Sequence, residues 1–181
     1  MKKILFGVIS IITLILLTGC GMDNTPTMKV ENFLDNYKNL DEVVINQMGD
    51  IVNIDTMMDE VQKSEYKEVL KRQYKDLSYT IKNDTVDGDR AVVTTEIEVY
   101  DFYKVNNLSE IYYTNNPDKF IDETGNLVNS KYIDYRLSEL KSSNERIKYT
   151  IDFTLRKIDK NWIIDDIDEV TRQKIHGLFS Y

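Results

Sequence analysis

Few residues in this 181-residue chain are of types and spacings that could do chemistry. Cys20 is the only cysteine and His176 the only histidine. Nucleophilic catalysis needs a base held beside a hydroxyl or thiol. His176 sits among the last six residues, where a surface or helix-end histidine is the expected reading. Asp165, Asp166, Asp168 and Glu169 form the densest acidic run. They lack the glycine and the alternating ligand spacing of a calcium loop, and read as a strand end followed by helix N-cap and first-turn acids. Asp122 to Asn126 (DETGN) reads as a turn. The sequence has no glycine-rich phosphate loop, no metal-ligand spacing and no G-x-S-x-G. No catalytic residue, metal or cofactor is therefore expected, and an enzyme would have only its fold to argue for it.

Cys20 has a different use. Lys2 and Lys3 precede a 14-residue stretch, Ile4 to Leu17, that is apolar apart from Gly7, Ser10 and Thr13. As a helix it would span roughly 21 Å, short of the roughly 30 Å hydrocarbon core, so it reads as a secretory signal rather than an anchor. The signal ends in Leu17-Thr18-Gly19-Cys20. That tetrapeptide resembles the lipobox of bacterial lipoproteins. The resemblance implies cleavage before Cys20, a diacylglyceryl group with palmitate-type chains on its thiol, and attachment to the membrane through that lipid. Two chains suffice for stable anchoring. A lone cysteine also leaves the exported domain without an internal disulfide.

Residues 1–19 are thus expected to be the signal, 20–27 a short lipidated tether, and 28–181 a single domain. Loss of Lys2 and Lys3 with the signal takes the net charge from −8 to −10. Such a surface repels phosphate backbones and anionic headgroups, which argues against nucleic-acid binding. The bias toward Ile, Asn, Lys and Tyr, with Ala91 as the only alanine, points to AT-rich coding and a Gram-positive cell envelope.

Along the chain, Val30, Phe33, Leu34 and Tyr37 give a first helix with Thr27 as a cap. A second helix is expected from Leu40 to about Met48, ending near Gly49-Asp50. A third opens near Asp55-Thr56, with Tyr66, Val69, Leu70, Tyr74 and Leu77 on its apolar face. The period then becomes 2. A hairpin turns at Asp87-Gly88, and the strand after it alternates Ala91, Val93, Thr95, Ile97 and Val99 with polar residues. A second hairpin runs through Ile147–Leu155, turns at Asp159-Lys160-Asn161 and returns through Trp162, which is expected to be buried near Tyr149, Ile151 and Phe153. A short helix closes the chain from about Glu169 to Gly177.

Between the hairpins lies an insertion, 104–144, irregular except for a helix near Ser130–Lys141. With 12 tyrosines in the chain, several cluster here. Tyr112 and Tyr113 are adjacent in a strand-like stretch and cannot both enter one core, so they are the candidate contact surface.

This order predicts an α+β fold with N-terminal helices on a curved antiparallel four-stranded sheet. The stretch Tyr149–Ile167 (YTIDFTLRKIDKNWIIDDI) resembles the last hairpin of small bacterial lipoproteins of the cystatin-like, nuclear-transport-factor-two-like group. That group includes isomerases, dehydratases and binding modules, so the fold alone selects no function. The expected role is a non-enzymatic module binding an envelope protein or other component. A small-molecule binder or enzyme using a sheet–helix pocket is the alternative.

Overall fold

The computed structural model describes residues 24–54 and 56–181. The expected signal, Cys20 and most of the tether lie outside the described residues.

Helix α1 (Pro26–Asn39) starts two residues earlier than Thr27 would cap it. Thr25 is the cap, its side chain accepting from Met28 N–H. Pro26 has no N–H to lose and a φ that suits the first helical position. Helix α2 (Glu42–Ile54) runs through Gly49 rather than stopping there. One glycine costs a helix only about 1 kcal/mol, and Val44, Met48 and Val52 continue a buried face on both sides of it. Helix α3 (Glu60–Lys75) opens later than expected, because Asp59 and Gln62 close a reciprocal capping box.

Strands β1 (Ser78–Asp87) and β2 (Arg90–Tyr100) form the first hairpin, and β3 (Arg146–Ile158) with β4 (Asn161–Ile164) the second. The sheet is an antiparallel meander in the order β1-β2-β3-β4. The β3–β4 turn has both central residues, Asp159 and Lys160, at positive φ, the geometry that favours Asp and Asn in two-residue turns. The β2–β3 register faces Ala91 with Leu155, Val93 with Phe153 and Ile97 with Tyr149. The alternation predicted for both strands is therefore the inner face of one sheet. The outer face is polar, with Thr94 bonded to Asp152 and Glu96 held between Lys82 and Lys148. Edge strand β1 carries a bulge at Lys82, a charged irregularity of the kind that discourages edge pairing.

The fold is α+β, helices followed by a four-stranded antiparallel sheet. Helices α1 and α3 lie on the inner face. Val30, Leu34, Leu70, Tyr74, Val93, Ile97, Phe153 and Trp162 fill the space between the layers. Trp162 is 6% exposed and shares this core with Tyr149, Ile151 and Phe153, as its position in the pattern predicted.

The 104–144 segment is far more regular than expected. Helix α4 (Phe102–Asn115), a 3₁₀ turn (Pro117–Phe120) and helix α5 (Asn129–Ser142) make a helical hairpin. Asp101 caps α4 by accepting from Lys104 N–H. Phe102, Val105, Ser109 and Tyr112 then recur at helical spacing, and the asparagine pairs do not break it. Ile133, Leu137 and Leu140 of α5 join Phe102, Tyr100, Val69 and Met58 in a second, smaller core. Helix α6 (Glu169–His176) packs against α3 and β2. Among the described residues no helix is long and apolar enough to cross a membrane.

Candidate functional site

Tyr112 and Tyr113 stand on α4, not in a strand. A helix turns about 100° per residue, so adjacent side chains can both reach one partner. Both rings meet Phe120, with centroids 6.3 Å and 5.1 Å away. Tyr112 also stacks on Tyr135 at 4.7 Å, and Tyr113 meets Tyr132 at 4.7 Å. Phe120 is buried at the centre of four half-buried tyrosines. The premise that one of the pair must face away from the packing is thus incorrect. The hydroxyl of Tyr112 accepts from Lys119 Nζ, which holds that lysine firmly protonated.

His176 departs furthest from expectation. It is 9% exposed, not a surface residue. Its Nδ1 lies 2.8 Å from the hydroxyl of Tyr74, itself fully buried. In the Nε2–H tautomer the phenol donates to Nδ1, which gives the buried hydroxyl hydrogen an acceptor. The neutral ring then carries its proton on Nε2. Burial is the main cause that lowers its pKa to about 4, with Arg172 adding to it. The same burial pushes the Tyr74 hydroxyl far up. Both groups are neutral at physiological pH.

Gly177 fixes this arrangement. It ends α6 at φ 70°, and its N–H and that of Leu178 close on Lys174 and Gln173 carbonyls. A Cβ there would run into the Tyr100 carbonyl and the Gln73 side chain. Gln73, fully buried, meets the Tyr100 backbone with both ends of its amide, at 2.8 Å and 3.1 Å. The helix end therefore needs a glycine to dock on the end of β2.

Beyond His176 opens a cleft of about 520 Å³. One wall is α6, with Glu169, Arg172, Gln173 and His176. The other is α1 and α2, with Tyr37, Gln47, Asp50 and Ile51. Tyr37 donates to Gln47 at 3.3 Å. This cleft opens between helices rather than between helices and sheet, with Tyr37 of the main core and Ile51, packed against that core, in its wall.

The acidic run divides. Asp165 lies 3.6 Å from both Arg90 and Arg156. Asp168 caps α6, and the bonds it accepts from Thr171 hold its carboxyl below the usual range. Asp122 organises its turn by accepting from Thr124 and Asn126. Among the described residues no group of His, Cys, Asp and Glu side chains could hold a metal ion.

No known family model matches the chain. No curated protein matches it either. Among solved structures it is similar to a Bacillus subtilis subsp. subtilis protein described as a lipoprotein, ycdA, at 14% identity and a TM-score of 0.45. The likeness covers 77% of this chain but spans only about half (47%) of that one.

Proposed function

We propose that this chain is a lipoprotein on the outer face of a bacterial cytoplasmic membrane, held by lipid on Cys20, and that its domain binds an envelope component without catalysis. The observation that carries the anchor is the Leu17-Thr18-Gly19-Cys20 motif together with the way the domain begins. Asn24 is clasped to the β3–β4 hairpin, donating to Lys160 C=O at 2.6 Å and accepting from Trp162 N–H at 3.1 Å. Only Gly21, Met22 and Asp23 separate Cys20 from that clasp. Four residue steps reach at most about 14 Å.

The β1–β2 and β3–β4 turns share one end of the sheet, since Arg90 pairs with Arg156. On this reading that end faces the bilayer. The α4–α5 hairpin, which joins the opposite ends of β2 and β3, faces away, with Tyr112 and Tyr113 as its candidate contact residues. Buried apolar side chains pack the layer between helices and sheet, and the binding reading places the contact surface outside that layer. The test is fractionation of cells expressing the wild type or Cys20→Ala. The wild type should partition into detergent with the membrane and the variant should not. Equal partitioning would defeat the proposal.

A further inference from the structure

We propose that the cleft between α6 and the α1–α2 wall binds a small zwitterion, its carboxylate received by Arg172 and His176 Nε2–H and its ammonium group by Asp50 across the cleft. This rests on the binding-module reading of the domain, but not on the anchor.

Three observations converge. The first is the imidazole. His176 is nine-tenths buried, and Tyr74 occupies Nδ1. Nε2 has no partner among the described residues, yet it is not an enclosed unsatisfied atom, and the ring lines the cleft. A buried polar group is normally paired. Here a donor with a fixed tautomer is turned toward open volume.

The second is the guanidinium. Arg172 is one helical turn before His176, so the two side chains share a face of α6. It also acts electrostatically on both Tyr37 and His176, which places its charge at the cleft. Arg172 makes no ion pair among the described residues. A guanidinium beside an N–H donor is a carboxylate receptor.

The third is the opposite charge. Asp50 and Glu169 line the same cleft, and neither pairs with Arg172. Glu169 is engaged by Gln173 at 3.3 Å. Asp50, on the other wall, is the remaining acid. A simple anion would meet these two carboxylates, whereas a zwitterion satisfies Arg172 and Asp50 together. The volume suits an amino acid or a dipeptide.

His176 is the only histidine, so ¹⁵N-histidine labelling of the full mature chain in detergent gives one imidazole spectrum. The free protein should show the Nε2–H tautomer. L-alanyl-L-alanine should shift the Nε2 signal saturably, acetate should act more weakly, and methylammonium should leave it unmoved. Arg172→Gln should weaken the dipeptide at least about tenfold, the loss of one charge-assisted bond, while the melting temperature stays unchanged. Asp50→Asn should reduce the preference for dipeptide over acetate. No saturable shift with the dipeptide, an equal response to acetate, or an unchanged affinity in Arg172→Gln would each overturn the proposal. Membrane partitioning would be unaffected by any of these results, which separates this failure from failure of the anchor.

Discussion

Tyr74 on α3 and His176 at the end of α6 share a 2.8 Å hydrogen bond across 102 residues of sequence. The bond ties the closing helix to the central one and sets the tautomer that the cleft presents.

It also makes stability depend on pH. The histidine pKa falls from 6.5 to about 4 on folding, so the unfolded chain takes up its proton first. The contribution is complete above pH 6.5 and is lost as pH falls toward 4. The groups that act on the ring are Tyr37 on α1, Tyr74 on α3 and Arg172 on α6, while Glu169 and Asp50 line the same cleft. Between pH 7 and 5 the loss should be about 2 kcal/mol. Asp122 and Asp168, whose carboxyls are held low, lose their contribution only below that window. Urea unfolding at the two pH values checks this. His176→Gln should flatten the difference, and an unchanged slope would show that the ring is not buried neutral.

Glycine positions give a graded comparison. Gly177→Ala places a Cβ against Tyr100 and Gln73 at φ 70°, whereas Gly88→Ala, at φ 57°, meets nothing within 4 Å. The second should cost about 1 kcal/mol from backbone strain alone. The first should cost clearly more and should lower the melting temperature further. Equal losses would contradict the docking of α6 on β2.

Trp162→Ala should lose about 3–5 kcal/mol, a large part of the roughly 5–15 kcal/mol that holds a domain of this size. The ring is buried, and Lys157 Nζ lies 5.4 Å from its centre. An unchanged melting temperature would place the ring outside the core.

In the α4–α5 hairpin, Tyr112→Ser and Tyr113→Ser should both lower stability, because each removes a ring from around Phe120. Tyr112→Phe and Tyr113→Phe keep the rings and should melt like the wild type. Phe120→Ala should be worse than any of them. If the serine variants melt normally, the aromatic cluster is not packed as described. Loss of partner capture in a phenylalanine variant would mark that hydroxyl as a contact.

The sheet was legible because period-2 alternation over Ala91–Val99 and Ile147–Leu155 has one physical outcome when one face is buried. The first and last helices were legible for the same reason at period 3.6. Their ends were less so. Thr25, Asp59 and the passage through Gly49 depend on which side chain reaches which backbone N–H, and neighbouring candidates compete. Helix α4 was missed because its apolar face is carried by Tyr, Ser and Val among asparagines, a composition that also fits a loop. The cleft was missed because His176 meets Tyr74 only through the tertiary fold. A signal existed in Gly177, since a glycine after a helix marks a stop, but nothing in the sequence says what that stop docks against.

The most direct test of the central claim is the mass of the N-terminal peptide released from membrane-extracted protein. The account predicts a peptide beginning at Cys20, with a diacylglyceryl group on its sulfur and Gly21 following. A peptide beginning elsewhere, or one beginning at Cys20 with a free thiol, would contradict it.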